Sequence, residues 1–283
     1  MADGELFVVA TPIGNLADFT YRAVEVLRSV DCVLAEDTRH TKTLLAHYGI
    51  DVRSRSLHAH SSEAAIESYV QELEGGAKFA LVSDAGTPLV SDPGGELVRA
   101  AVARNIRVTP IPGASAVFAA LVGSGFGGAG FRFFGFLPRE GGERQRALNT
   151  VLSTPETVLF FESPQRTIDT LREMAELAPD RPACIARELT KRYEEFVRGT
   201  LRELSVHEGE MRGEVVIVLG PHEVTKEVVE ERTLDEWIAV EMGAGQSAKD
   251  AALSIAKRTG RRRTLRRAVV RRADPSATWR RTS

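Results

Sequence analysis

Two periodicities alternate along the first 220 residues. Short apolar, β-branched runs at 6–10 (LFVVA), 32–36 (CVLAE), 78–82 (KFALV) and 106–110 (IRVTP) have the length and composition of buried strands. Between them, residues 20–29, 38–47, 61–74 and 92–104 predict helices; Leu97, Val98, Ala101 and Val102 in the last of these recur at helical spacing. The alternation predicts an α/β domain around an open, largely parallel sheet. Punctuation follows at 111–113 (IPG) and at 123–130 (GSGFGGAG), where five glycines in eight residues predict irregular backbone at a domain junction. Five further strand runs, at 131–137, 157–162, 183–189, 194–200 and 214–220, predict a second α/β domain. Its last two runs are separated by one short helix, which favours a mixed sheet. The expected organisation is an N-terminal α/β domain over 1–118, a second over 119–223, and a linker with a small helical basic region over 224–283. Helices are expected there at 233–243 and 247–259.

Composition narrows the class. An apolar content of 43% in 283 residues supports sizeable cores. No run of eighteen apolar residues predicts a membrane span, and the first residues show no basic signal region, so a cytoplasmic location is expected. Cys32 and Cys184 lie within apolar runs and read as buried structural thiols of a reducing compartment; nothing in the spacing predicts a metal site. The net charge of −2 hides an asymmetry: residues 257–283 hold eleven Lys/Arg and one Asp, while the remainder carries 26 basic and 38 acidic residues. An acidic body with a basic tail predicts a polyanionic partner reached by the tail.

In an open parallel sheet, ligands bind beyond the carboxyl ends of the strands. Three stretches fall there: ATPIGN (10–15), EDTRHTK (36–42) and SDAGTP (83–88). Small residues at such ends let backbone groups approach a ligand; each stretch alone reads more readily as a plain turn, and three of them at matching strand ends reverse that preference. No dinucleotide fingerprint or phosphate-binding loop is present. EDTRHTK reads as a helix N-terminus capped by Asp37 or Thr38; it also places Glu36, Asp37 and His40 as candidate bases and Arg39 as a phosphate contact. In the second half, FFESPQR offers Glu162 and Arg166, and ARELTKRYEE offers Arg187 and Lys191. These form either an internal ion-pair cluster or a cationic wall across a cleft. SD-x-G recurs at 91–94, where Asp92-Pro93 reads as the cap and first turn of the next helix.

Taken in order, VVATPIGNLADFTYRAVEVLRSVDCVLAEDTRHTKTLL, LVSDAGTPLVSDPG, PIPGASA, GFLPR, FESPQR and ARELTK resemble the ribosomal RNA small subunit methyltransferase I family, within the tetrapyrrole-methylase-like superfamily. The resemblance covers roughly residues 5–220. It implies two α/β domains with a deep cleft between them, a homodimer, and S-adenosyl-L-methionine as cofactor. The methyl acceptor it implies is the 2′-hydroxyl of a cytidine in small-subunit (16S) ribosomal RNA, free or in the 30S subunit. By position, it implies cofactor loops at Thr11, Pro12, Ile13 and Gly14; at Ser83, Asp84, Ala85, Gly86 and Thr87; and at Pro112, Gly113, Ala114 and Ser115. The base stays open among Asp37, Glu36 and His40, with Arg39, Arg166, Arg187 and Lys191 on RNA phosphates. The Arg-rich tail, which lacks tyrosine, departs from the Lys-rich ending of the family. The alternative is a methyltransferase of the same fold acting on a tetrapyrrole or another small acceptor, for which a polycationic tail has no evident use.

Overall fold

The computed structural model describes residues 4–128, 130–207 and 211–221. The linker, helices and basic tail expected from residue 224 onward lie outside these residues. Residues Met1–His222 group as one compact unit holding two sheets.

The first sheet contains β1 (Glu5–Val9), β2 (Cys32–Ala35), β3 (Ser54–Ser56), β4 (Lys78–Val82) and β5 (Arg107–Ile111), in the order β3-β2-β4-β1-β5 and parallel throughout. Strand alternation sorts its side chains between two cores. Val33, Ala35, Ala80 and Val82 meet Ala23 and Leu27 of α1 (Tyr21–Ser29) and Leu44 and Leu45 of α2 (Thr38–His47). On the opposite face Leu34, Phe79 and Leu81 meet Val70 and Leu73 of α3 (Glu63–Glu74) and Leu97 and Ala101 of α4 (Gly95–Ala103). β3 escapes the hydrophobic pattern because it is a three-residue edge strand, Ser-Arg-Ser, with no fully buried residue.

The second sheet contains β6 (Phe131–Phe136), β7 (Thr157–Glu162), β8 (Pro182–Arg187), β9 (Glu195–Thr200) and β10 (Val215–Leu219), in the order β6-β7-β10-β8-β9. It is mixed: β6 and β7 run parallel, and the other pairs are antiparallel. Phe160, Ile185 and Ile217 pack beneath α6 (Gly141–Ser153), α7 (Pro164–Leu177) and the short α8 (Leu201–Ser205). Leu159, Ala186 and Val216 face Val117 and Ala120 of α5 (Ala116–Ser124) together with Ile13, a residue of the β1 loop.

Three details differ from the sequence reading. Helix α5 spans residue 118 and runs through Ser124, so the glycine-rich stretch is irregular only from Gly125; Gly123 lies inside the helix, and a Cβ there would collide with the Phe196 ring, which restricts the position to glycine. The strand expected over 183–189 ends at Arg187, since Glu188 (φ 50°) and Thr190 (φ 65°) turn the chain into left-handed backbone. Helix α4 starts at Gly95 rather than at residue 92, because its cap Gly94 lies at φ 110°, which leaves Asp92 and Pro93 outside the helix. Among the described residues no helix is long and apolar enough to cross a membrane.

Arg181 holds the second layer together. It is 4% exposed and donates to the carbonyls of Val151 (3.2 Å), Leu152 (2.9 Å), Thr154 (3.1 Å), Glu156 (3.3 Å) and Gly220 (3.1 Å). The first three lie at the end of α6, where carbonyls lack intrahelical partners and a cation is favoured by the helix dipole. Burial lowers its pKa only to about 10, so the guanidinium keeps its charge at neutral pH. Arg181→Met strands these carbonyls and is expected to cost about 3 kcal/mol, read as a lower urea midpoint with an unchanged slope.

Candidate functional site

Because the first sheet is parallel, the loops after β1, β2, β4 and β5 leave from one edge. Two backbone bonds clamp the first to the third: Thr11 N–H to Gly86 O (2.8 Å) and Gly86 N–H to Thr11 O (3.0 Å). The Thr11 hydroxyl adds a bond to Ser83 O (3.1 Å). Gly86 sits at φ 80°, and a Cβ there would lie 3.1 Å from Ile13 Cγ2, so this position needs glycine for both conformation and room. The Thr87 hydroxyl donates to Ala114 O (3.1 Å), joining the loop that leads into α5. Asp37 N–H donates to Asp84 Oδ1 (3.1 Å), joining the loop after β2.

These loops form one side of a cavity of about 410 Å³. Ile13, residues 84–87 and 90–92, and the start of α5 face Phe136, Phe161–Pro164 and 213–216 of the second sheet. Of the expected cofactor-loop residues, Ile13, Asp84, Ala85, Gly86, Thr87 and Ser115 line it. Thr11 and Ser83 are buried behind the lining, and Pro12, Gly14, Pro112, Gly113 and Ala114 are not part of it. Among the described residues the lining carries four carboxylates, from Asp84, Asp92, Glu162 and Glu214, and no Lys, Arg or His. Among the described residues no three side chains converge as metal ligands.

The cations expected at the cleft hold its frame instead. Arg166 lies 3.6 Å from Glu162 and donates to Pro138 O (3.3 Å). Arg187 pairs with Glu195 at 2.6 Å, and Lys191 with Glu188 (2.8 Å) and Glu214 (3.0 Å). The Lys191 stem packs against Gly14, where a Cβ would collide with it, and Asn15 N–H donates to the Thr190 hydroxyl (3.1 Å); both contacts join the β1 loop to the second sheet. Between the two sequence readings, an ion-pair cluster or a cationic wall, the geometry matches the ion-pair cluster.

The three candidate bases also stand off the lining. Asp37 caps α2 through Arg39 N–H (2.8 Å) and pairs with the Arg39 guanidinium (2.8 Å), which pulls its carboxyl down to about 2. Arg39 itself is solvated, with its side chain 90% exposed, and His40 is exposed on the same helix. Burial, then the charge of Asp84, pushes Glu36 up.

The carboxylate that the pattern did not single out is Asp92. Leu89 (φ 72°) and Ser91 (φ 70°) hold its loop in left-handed backbone, which no hydrophobic pattern reveals; the only hint is the repeated SD-x-G. Burial raises the Asp92 carboxyl to about 6; a hydrogen bond from Ser83 opposes the rise, and Glu36 and Asp84 add to it. A carboxyl raised above its ordinary value of 3.8 opposes folding once ionised: the cost is absent below pH 3.8 and complete above about pH 6. Asp92→Asn is therefore expected to raise Tm at pH 8, with the gain shrinking to nothing as the pH is lowered to 4.

Known proteins share this fold. The family model described as "Tetrapyrrole (Corrin/Porphyrin) Methylases" matches residues 5–205. A ribosomal RNA small subunit methyltransferase I of Mesorhizobium japonicum is 44% identical over 276 residues, covering 96% of this chain and 93% of the relative. Among solved structures, a diphthine synthase superposes with a TM-score of 0.61 at 16% identity, over 76% of this chain and 90% of that one. A uroporphyrin-III C-methyltransferase of Thermus thermophilus, complexed with S-adenosylhomocysteine, gives 0.55 at 19% identity, over 80% and 99%. The fold is thus that of the tetrapyrrole methylases, and the identity across nearly the whole chain decides the branch: the protein belongs to the tetrapyrrole methylase family, among the ribosomal RNA small subunit methyltransferase I proteins.

Proposed function

We propose that the chain is an S-adenosyl-L-methionine-dependent methyltransferase acting on small-subunit ribosomal RNA, at the 2′-hydroxyl of a cytidine. The observation that carries this reading is the lining of a cavity bounded by small-residue strand ends, which among the described residues holds four carboxylates and no cation. Such a lining suits a ligand with a sulfonium and an ammonium charge, and it disfavours a polyphosphate in the same place. The size and mixed apolar and polar walls are those of a small-molecule site. The donor, when bound, supplies an electrophilic methyl group without a metal. The chain's own part is alignment and dryness: Ile13, residues 84–87 and Ser115 form the cradle, and Ile13, Val90, Val117 and Phe161 exclude water. The names of the relatives support ribosomal RNA as acceptor. So does the charge of residues 257–283, whose contact with RNA is expected to weaken steeply with salt. Arg39, exposed beside the site's β2 loop, is the candidate phosphate contact that the ion-pair frame leaves most accessible. A cytoplasmic location follows from such a substrate.

The reading includes a homodimer. Helix α5 is apolar on both faces: Val117 and Ala120 are buried, yet Phe118 is 57% and Val122 79% exposed, with Phe131 of the edge strand β6 packed edge-on against Phe118. An apolar patch at a sheet edge is best covered by a second copy of the chain. Phe118→Glu combined with Val122→Glu is expected to give a monomer by light scattering where the parent is a dimer; an unchanged mass excludes this face.

The defining experiment is methyl transfer from labelled S-adenosylmethionine to unmodified 30S subunits, with nuclease mapping of the product. Label in a 2′-O-methylated cytidine is expected. Cofactor binding without label in subunits or free rRNA overturns the reading in favour of a small acceptor.

A further inference from the structure

We infer that Asp92 takes the proton from the acceptor hydroxyl. The inference rests on the reading of the chain as a 2′-O-methyltransferase, and it identifies the base within that site.

The four lining carboxylates are not equivalent. Glu162 is 3% exposed and accepts from Ser163 N–H (2.8 Å) and the Thr170 hydroxyl (2.8 Å), with Arg166 beside it. Glu214 is bound to Lys191. Asp84 accepts the Asp37 N–H that ties two loops together. Each of these is already engaged in holding the frame of the site. Among the described residues Asp92 has no cation beside it; the groups facing it are the Ser83 hydroxyl and the carboxylates of Glu36 and Asp84, with Glu162 and Glu214 elsewhere in the lining.

Its position fits an acceptor as well. A Cβ at Gly135 would lie 3.2 Å from Ser91 Oγ, so the loop before α4 meets the end of β6. The next residue of β6, Phe136, is 64% exposed and shares the cavity lining with Asp92. An exposed ring there offers a stacking face to an unstacked base, and places the acceptor's sugar within the same cavity as the carboxylate. The left-handed backbone of Leu89 and Ser91 is the kind of local strain that the rest of a fold must sustain; here it keeps Asp92 out of α4 and in the cavity. A carboxylate poised near neutral pH is also matched to accepting a proton from a hydroxyl.

The step balances without a further reactant. The hydroxyl proton passes to an Asp92 oxygen, the acceptor oxygen forms its new bond to carbon, and the carbon–sulfur pair leaves on sulfur. The carboxyl then returns its proton to water. One positive charge on the donor and one negative charge on Asp92 are cancelled together.

The test uses the full chain with 30S subunits, comparing wild type with Asp92→Asn and Ser83→Ala. Asp92→Asn is expected to lower kcat about 100- to 1,000-fold, with the KM for subunits and the affinity for S-adenosylhomocysteine within about threefold of wild type. The wild-type rate should fall as the pH drops below about 6, and this limb should vanish in Asp92→Asn. Ser83→Ala, which removes the hydroxyl that holds the carboxyl down, should move the limb to higher pH and so gives a reading even if Asp92→Asn does not fold. Independently of activity, carbon-13 NMR of cofactor-free protein should show one aspartate titrating near 6 that is missing in Asp92→Asn. An Asp92→Asn enzyme within threefold of wild-type kcat, an acidic limb unmoved by either variant, or a loss of S-adenosylhomocysteine affinity matching the loss of rate overturns the assignment. Wild type that binds S-adenosylhomocysteine but methylates no RNA instead overturns the functional reading, and the assignment with it.

Discussion

The paired backbone bonds between Thr11 and Gly86 are the constraint on which the site depends. They join the ends of β1 and β4, adjacent strands in the middle of the first sheet, beyond the point where strand pairing stops. With the Thr11 hydroxyl on Ser83 O, the two loops become one rigid shelf. Everything on the donor side hangs from it: Thr87 reaches Ala114 and sets the entry of α5, and Asp84 reaches Asp37 and sets the entry of α2. Ile13 projects from the shelf into the core under α5, so the first sheet's loop is packed into the second sheet's layer. A site made of loops gains the precision of a site made of strands.

Charge is arranged in two shells. Carboxylates line the cavity, and cations stand behind them at Arg166 and Lys191. An inward-facing guanidinium would repel a sulfonium; one step back, it still compensates the buried acid. The same economy explains why Glu162 can be buried at the wall while Asp92, with no cation beside it among the described residues, carries a raised pKa. Sites that perform proton transfer retain such uncompensated groups at a cost in stability.

The second layer relies on a different device. Arg181 is buried with no carboxylate partner among the described residues, and its charge is stabilised by carbonyl dipoles at the end of α6 and beside β10. It fixes the helix that roofs the second core, while the cavity face of the same sheet is left to α5. Structural and functional faces of one sheet are thereby separated.

Periodicity alone was sufficient for much of the fold. Strands β1, β2, β4 and β5 and helices α1 and α2 lie where alternation and helical spacing place them, because their side chains are sorted between cores by local geometry. The strand-end loops were legible for the same reason: a parallel sheet delivers them to one edge. Tertiary structure decided the rest. The polar edge strand β3 carries no apolar signal, and Gly123 is a glycine inside a helix because Phe196 leaves no room for a side chain. Whether Arg187 and Lys191 face a ligand or an acid depends on Glu195 and Glu214, residues that only antiparallel pairing brings near. Asp92 reads as a helix cap in the sequence, since Asp-Pro-Gly-Gly fits one. Left-handed turns at Leu89, Ser91 and Gly94 place it in the cavity instead. Such turns are stabilised by the packing around them, and packing is a property of the whole fold that no local pattern encodes.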